Sequence, residues 1–175
     1  NGTYYLSSNM PKYYLLNGFF YKSPEYILLC YLLFIPFFLI RNLYFKEKFK
    51  FFNYKIMFII FVLTFPNIIL FLIPYPIYDG LRLFFWALPY ISLIPGLIIY
   101  YFLNNFKLSS SKICLSAISI LVIYFLYNFF SITPYQYTYL NVLNGKSENR
   151  YEKYENDYWG ASIKELIIKS NFSKD

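Results

Sequence analysis

The sequence predicts an all-α membrane protein with about four transmembrane helices, kinked by proline, and a small non-cytoplasmic C-terminal tail with a short amphipathic helix. Of its 175 residues, 58% are hydrophobic and 14% are charged. Soluble domains carry about 25% charged residues, so this is the composition of a membrane protein. Several apolar runs also approach the roughly 20 residues that a helix needs to cross a bilayer. The predicted regions are an outer-face interfacial segment (1–23), a four-helix region (24–132) and an outer-face tail (133–175).

The first apolar run, 26–40, is short and reaches the length of a span only with polar residues at its ends. At its start, Ser23 suits an N-cap, Pro24 the first helical position and Glu25 the positive end of the helix. The other three runs have few polar interruptions. The predicted spans are 24–42, 56–74, 83–103 and 113–132.

Prolines lie inside three of the four runs, at Pro36, at Pro66, and at Pro89 and Pro95. Each would cost about 3 kcal/mol or more in a water-exposed helix interior. In a membrane bundle, neighbouring helices can satisfy the backbone groups that a proline frees. We therefore expect kinked helices that pack around one another rather than a gating hinge.

The loops predict the orientation. Loop 41–55 has five basic residues and one acid, and loop 104–112 has two basic residues and no acid. Both loops lie on the same side by parity, and the positive-inside rule makes that side cytoplasmic. Segment 1–23, loop 75–82 and the tail then face outward.

The outward loop 75–82 carries Tyr78, Asp79 and Arg82 between two apolar runs. Charged groups at the mouth of two spans are costly to hold there, which favours a ligand or a partner chain. In one interpretation, Asp79 and Arg82 form a local ion pair that caps the following helix. In the other, Arg82 binds phosphate through its planar fork and Asp79 orients it or contacts a substrate hydroxyl. The sequence leaves both open.

Two other outward stretches offer candidate cleft residues. Tyr13 and Tyr14 belong to a Tyr-rich segment that suits either an interfacial belt or one wall of a cleft. The tail begins with alternating Tyr over 133–141, which predicts an extended or interfacial piece, and ends in a short amphipathic helix over about 162–171. Between them, aromatic side chains stand among acids at Glu155, Asp157, Tyr158 and Trp159.

Composition also excludes several classes of site. The chain contains no His, which removes His bases, Ser-His triads and His-based metal sites. Cys30 and Cys114 lie in apolar runs and are expected to be small buried hydrophobes. The acids at 148–157 do not fit a calcium loop, so no metal site is expected. The basic residues are scattered and no nucleic-acid-binding motif appears, so we expect no nucleic-acid partner.

Three patches, in this order, resemble the C-terminal half of bacterial glycosyltransferases of the protein O-mannosyltransferase and aminoarabinose-transferase type (glycosyltransferase family 39). That resemblance covers nearly the whole chain. The patches are Met10-Pro11-Lys12-Tyr13-Tyr14-Leu15 with Lys22-Ser23-Pro24, then Tyr78-Asp79-Gly80-Leu81-Arg82, and then Pro134-Tyr135-Gln136-Tyr137 followed by Tyr154-Glu155-Asn156-Asp157-Tyr158-Trp159-Gly160.

The resemblance implies a GT-C fold and transfer of a sugar from a polyprenyl-phosphate donor, on the periplasmic face of the inner membrane. It implies that Arg82, Asp79 and Tyr78 contribute to the donor-phosphate site. The family usually has a His after the Arg; here that position is Leu83, so Arg82 and Asp79 carry over as donor-site residues and not as catalysts.

The same resemblance implies a general-base carboxylate upstream of this chain and no catalytic residue within it. The chain is then expected to be a fragment, inactive alone, whose partners are membrane lipid, the sugar donor and the missing N-terminal spans. No cofactor is expected in the chain, and a divalent metal in the complete protein stays open. The alternatives are a non-enzymatic membrane scaffold and a transporter segment; the spans have few polar groups for ion coupling.

Overall fold

The structure is a computed structural model that describes residues 11–73 and 82–145, together with residues 160, 163 and 167; for Arg82 it describes the backbone only. The described residues form helices and turns, with no β-strand among them, which confirms the all-helical prediction. The α-helices are α1 (Tyr14–Lys22), α2 (Glu25–Ile40), α3 (Asn42–Lys48), α4 (Phe52–Leu72), α5 (Leu88–Asn104) and α6 (Ser109–Ser131).

Among the described residues, three helices are long and apolar enough to cross a membrane: Phe52–Leu72, Leu83–Asn104 and Ser109–Ser131. A fourth reaches that length only if α1 and α2 count together, and these two helices bend by 110° at their junction. The predicted spans therefore agree with the structure in their positions along the chain. Three or four helices of the described residues are candidate spans. The predicted first span, 24–42, is the 16-residue helix α2.

Two segments differ from the prediction because aromatic side chains pack at the corner after α2. Seven residues of the predicted loop 41–55 form α3, and α4 begins at Phe52 rather than at residue 56. Phe45 of α3 is fully buried, and its ring stacks on Phe52 at a centroid distance of 5.1 Å. Burial of an aromatic side chain stabilises a short helix that has little stability of its own.

The predicted start of the first span is also wrong in detail. Pro24 occupies the N-cap position of α2 and makes no side-chain cap bond. Ser23 instead ends α1, where its N–H donates to the carbonyl of Phe19 at 3.1 Å. Because the chain turns sharply here, Ser23 belongs to the first helix, and Glu25 is the first residue of the second.

The start of the third predicted span is a 3-10 helix, Arg82–Ala87, which leads into α5. Pro89 stands in the first turn of α5 and lacks the N–H that would bond to Phe85 in an α-helix. Phe84 departs from helical geometry, with φ −112° and ψ 18°. The α-helix therefore begins at Leu88, five residues later than the predicted span.

Contacts between α2 and its neighbours give the helix directions. The Tyr31 hydroxyl donates to the carbonyl of Ile91 at 2.9 Å, and Phe37 lies 5.0 Å from Tyr101, ring to ring, so α2 and α5 run parallel. Tyr26 near the start of α2 meets Phe125 near the end of α6 at 5.7 Å, so α6 runs antiparallel to α2. The starts of α2 and α5 and the end of α6 thus share one end of the bundle, which we call the polar end.

The opposite end, which we call the basic end, carries α3 and residues 41–55 and 104–112. Here α3 and the turn after it meet the last turn of α5 through the rings of Tyr44 and Tyr101, 5.0 Å apart, and of Phe49 and Tyr100, 5.6 Å apart. The two basic loops therefore lie at the same end of the bundle, as parity predicts.

Candidate functional site at the polar end

Helix α1 lies against the end of α4 and the start of the 3-10 helix Arg82–Ala87. Leu15 and Leu70 are buried against each other, with Tyr14 and Phe84 packed on them. The Nζ of Lys12 sits 4.4 Å from the centre of the Phe71 ring, within the range of a cation–π contact. The start of α1 therefore lies beside the two segments that flank loop 75–82.

A buried carboxylate joins this end of the bundle to the chain that follows α6. Glu25 is 9% exposed. Its Oε2 accepts a hydrogen bond from the Tyr139 hydroxyl at 2.8 Å, and its Oε1 accepts one from the Val142 N–H at 3.0 Å. Glu25 is also the first residue of α2, at the positive end of that helix.

Asn141 is fully buried and binds the junction of α1 and α2. Its Nδ2 donates to the carbonyls of Phe20 and Ser23, and its N–H donates to the carbonyl of Tyr21 at 3.0 Å. The last carbonyls of any helix lack partners within that helix. Asn141 supplies the donors that the end of α1 needs.

Asn144, 2% exposed, adds a second amide to the same place. Its Nδ2 donates to the carbonyls of Tyr21 and of Asn141, each at 3.1 Å. We call this set of groups the polar clamp. It consists of the side chains of Glu25, Tyr139, Asn141 and Asn144, with the carbonyls of Phe20, Tyr21 and Ser23.

The polar clamp holds residues 139–144 on the α1–α2 junction. The ring of Tyr139 also meets Phe125 of α6 edge to face, at 5.2 Å. Each oxygen of Glu25 accepts a hydrogen bond from residues 139–142, and the residue is nearly buried. The clamp is therefore an architectural element that fixes where the tail starts.

For residues 133–141 the sequence predicts an extended or interfacial piece, and the extended alternative is wrong, because Gln136–Thr138 within it is a 3-10 turn. Residues Gln136–Thr138 and Val142–Asn144 are short 3-10 turns. Asn141 caps the second turn, because its Oδ1 accepts a hydrogen bond from the Leu143 N–H at 3.1 Å. Local side-chain bonds of this kind compete with extended backbone.

Of the predicted site residues, Tyr13 and Tyr14 lie at the polar end, Tyr13 being 59% exposed and Tyr14 partly buried. Arg82 begins the 3-10 helix whose third residue, Phe84, packs with Tyr14. The structure thus brings the backbone of Arg82 and these two tyrosines to one end. Six predicted residues lie outside the described part of the chain: Tyr78, Asp79, Glu155, Asp157, Tyr158 and Trp159.

The predicted tail helix 162–171 also lies almost wholly outside the described part; within it, Ile163 and Ile167 are helical and exposed. Among the described residues, no group of three or more Cys, Asp or Glu side chains is placed to hold a metal ion.

Sequence analysis missed the members of the polar clamp. Glu25 is the first acidic residue of the chain and stands before a long apolar run, which is a signal for a buried, partnered acid. Asn141 and Asn144 lie three apart directly after the last span. Their partners are more than 110 residues away in sequence, so no local pattern joins them to α1.

No protein-family model, no curated protein and no solved structure matches the chain.

Proposed function

We propose that this chain is the C-terminal membrane region of an integral-membrane glycosyltransferase, which moves a sugar from a polyprenyl-phosphate donor to an acceptor at the non-cytoplasmic face of the bacterial inner membrane. One observation carries the proposal. The start of α1, with Tyr13 and Tyr14, the end of α4 and the 3-10 helix that begins at Arg82 meet at one end of a helical bundle. The resemblance of the sequence patches adds the substrate class.

The two ends of the bundle support the proposed orientation. Seven basic residues and one acid lie in residues 41–55 and 104–112 at the basic end, and such an excess of positive charge favours the cytoplasm. The polar end then faces the periplasm. A donor phosphate there needs a cationic group as the bond to the sugar breaks, and Arg82 supplies that role in the proposal.

The polar clamp favours a second candidate, a non-enzymatic membrane scaffold. In the clamp, the buried carboxylate of Glu25 accepts hydrogen bonds from Tyr139 and Val142. These bonds hold the start of the tail in a fixed place, as a docking module would require. A transporter is less well supported. Thr64 and Ser92 donate to carbonyls of their own helices, at 2.8 Å to Ile60 and 2.9 Å to Leu88, and so have their bonds satisfied locally.

The test compares Arg82→Ala with Arg41→Ala in the full-length protein in native membranes. The assays measure binding and sugar transfer with polyprenyl-phosphate mannose and polyprenyl-phosphate aminoarabinose. We expect Arg82→Ala to reduce donor binding and transfer by about 100-fold or more, because an unpaired donor phosphate loses charge-assisted bonds worth about 1.5–3 kcal/mol each.

Arg41→Ala is the matched control, since Arg41 is an exposed arginine at the basic end, and it should leave transfer unchanged. Arg82→Lys keeps the charge without the planar fork and should fall between the two. If Arg82→Ala retains both donor affinity and transfer, the donor-site assignment is wrong. If the unchanged protein neither binds nor transfers either sugar, the scaffold is the better account.

A further inference from the structure

The basic end carries a surface that none of the preceding functions uses. Its seven basic residues are all exposed, as is Glu47, the acid among them. They come from two stretches that are far apart in sequence: residues 41–55, which hold α3, the turn after it and the start of α4, and residues 104–112, which run from the end of α5 into the first turn of α6. The fold therefore brings two basic stretches to one end of the bundle.

An aromatic cluster holds these segments in place. Phe45 is fully buried, stacks on Phe52 of α4 and lies 5.7 Å from the ring of Tyr101 of α5. The ring of Tyr44, the preceding residue of α3, packs edge to face on Tyr101 at 5.0 Å. Lys46 and Lys48 thus project from a helix that is anchored to the core.

Large apolar side chains are exposed among the same lysines. Leu43 and Tyr54 are each 74% exposed. The Nζ of Lys50 lies 5.2 Å from the centre of the Phe51 ring, and that of Lys112 lies 5.6 Å from the centre of the Phe106 ring. Cations beside exposed aromatic rings suit the boundary between lipid headgroups and acyl chains.

We propose that the basic end is a docking surface for anionic phospholipids, whose phosphates bind the lysines of α3 and its neighbours while their acyl chains cover the exposed apolar groups. Charge complementarity and the mixed apolar and cationic surface together select this partner. The negative charge of a nucleic acid or an acidic peptide would complement the lysines, but neither would cover the exposed apolar side chains of Leu43, Phe51 and Phe106. Clusters of four to eight basic residues beside membrane spans bind anionic lipids in this way.

The test uses the full-length protein in detergent and measures bound lipid by native mass spectrometry. The probes are phosphatidylglycerol and phosphatidylcholine with identical acyl chains. The variant Lys46→Gln/Lys48→Gln/Lys50→Gln removes three charges and keeps Phe45. The control Lys164→Gln/Lys169→Gln/Lys174→Gln removes three charges from the tail.

We expect the unchanged protein and the tail control to retain more phosphatidylglycerol than phosphatidylcholine. In Lys46→Gln/Lys48→Gln/Lys50→Gln, which we call the α3 variant, the ratio of the two bound lipids should fall at least about tenfold. Added salt should remove the preference of the unchanged protein, which tests the proposal even if the variant does not fold. Equal retention of the two lipids, a preference that survives in the α3 variant, or one that is insensitive to salt would overturn the proposal. So would equal competition by soluble glycerol phosphate, which would indicate a site for free phosphate.

Discussion

At the scale of single residues, Asn141 explains why the chain after α6 folds back onto α1. It supplies hydrogen-bond donors to three carbonyls at the α1–α2 junction, and it is fully buried. A typical hydrogen bond contributes about 0.5–1.5 kcal/mol net. One residue thus provides partners for backbone groups at a sharp turn between two helices.

We predict that Asn141→Ala lowers the free energy of unfolding by about 1–3 kcal/mol, because it removes two side-chain hydrogen bonds to the part-buried carbonyls of Phe20 and Ser23. Thermal unfolding of the purified protein in detergent measures the loss. Asn128→Ala is the matched control, since Asn128 is half-buried and its side chain bonds only within α6, to the carbonyl of Tyr124. Equal stabilities of the two variants would show that the clamp contributes little.

At the scale of elements, Tyr31 and Pro95 show how these helices tolerate proline. Helix α5 continues through Pro95, which has no N–H to donate to the carbonyl four residues earlier, that of Ile91. The hydroxyl of Tyr31 from α2 donates to that carbonyl at 2.9 Å. The expectation that neighbouring helices satisfy what a proline frees is therefore confirmed at this proline.

We predict that Tyr31→Phe destabilises the protein by about 1 kcal/mol, the typical net value of a hydrogen bond. The cost should shrink in a Pro95→Ala background, because the alanine N–H can then donate to the Ile91 carbonyl. A double-mutant cycle on thermal unfolding measures this coupling. Tyr127→Phe, at an exposed tyrosine of α6, is the control. If the Tyr31→Phe cost is the same in both backgrounds, the two residues are not linked through Ile91.

The elements that sequence predicts are those whose signal is local. The three long spans follow from apolar length alone. Their observed first and last residues lie within about four residues of the predicted ones. Helices α1 and α3 are different. Each is held by contacts with residues distant in sequence: Leu15 with Leu70, and Phe45 with Tyr101. Neither periodicity nor composition carries that information.

At the scale of the whole molecule, the fold separates two kinds of polar surface. The basic end collects exposed lysines around an aromatic anchor, and the polar end collects the clamp, the start of α1 and the 3-10 helix at Arg82. Parity and charge predict the basic loops correctly as neighbours. The clamp could not be predicted, because it depends on a 110° turn between α1 and α2, and no local sequence motif indicates that turn.

Both proposals depend on the two ends facing opposite sides of the membrane. The donor site requires the polar end outside, and the proposed orientation puts the anionic-lipid surface on the cytoplasmic side. A single cysteine at each end reports the orientation, once Cys30 and Cys114 are replaced by alanine. Leu143 and Lys107 suit this purpose, since both are exposed and lie at the polar and the basic end respectively.

The most direct measurement is labelling of Leu143→Cys and Lys107→Cys by a membrane-impermeant maleimide in intact cells, with and without permeabilisation of the inner membrane. The account predicts that Leu143→Cys is labelled in cells whose inner membrane is intact, and that Lys107→Cys is labelled only after that membrane is opened. The reverse pattern, or equal labelling of both positions before permeabilisation, would contradict the proposed orientation and the outward donor site with it.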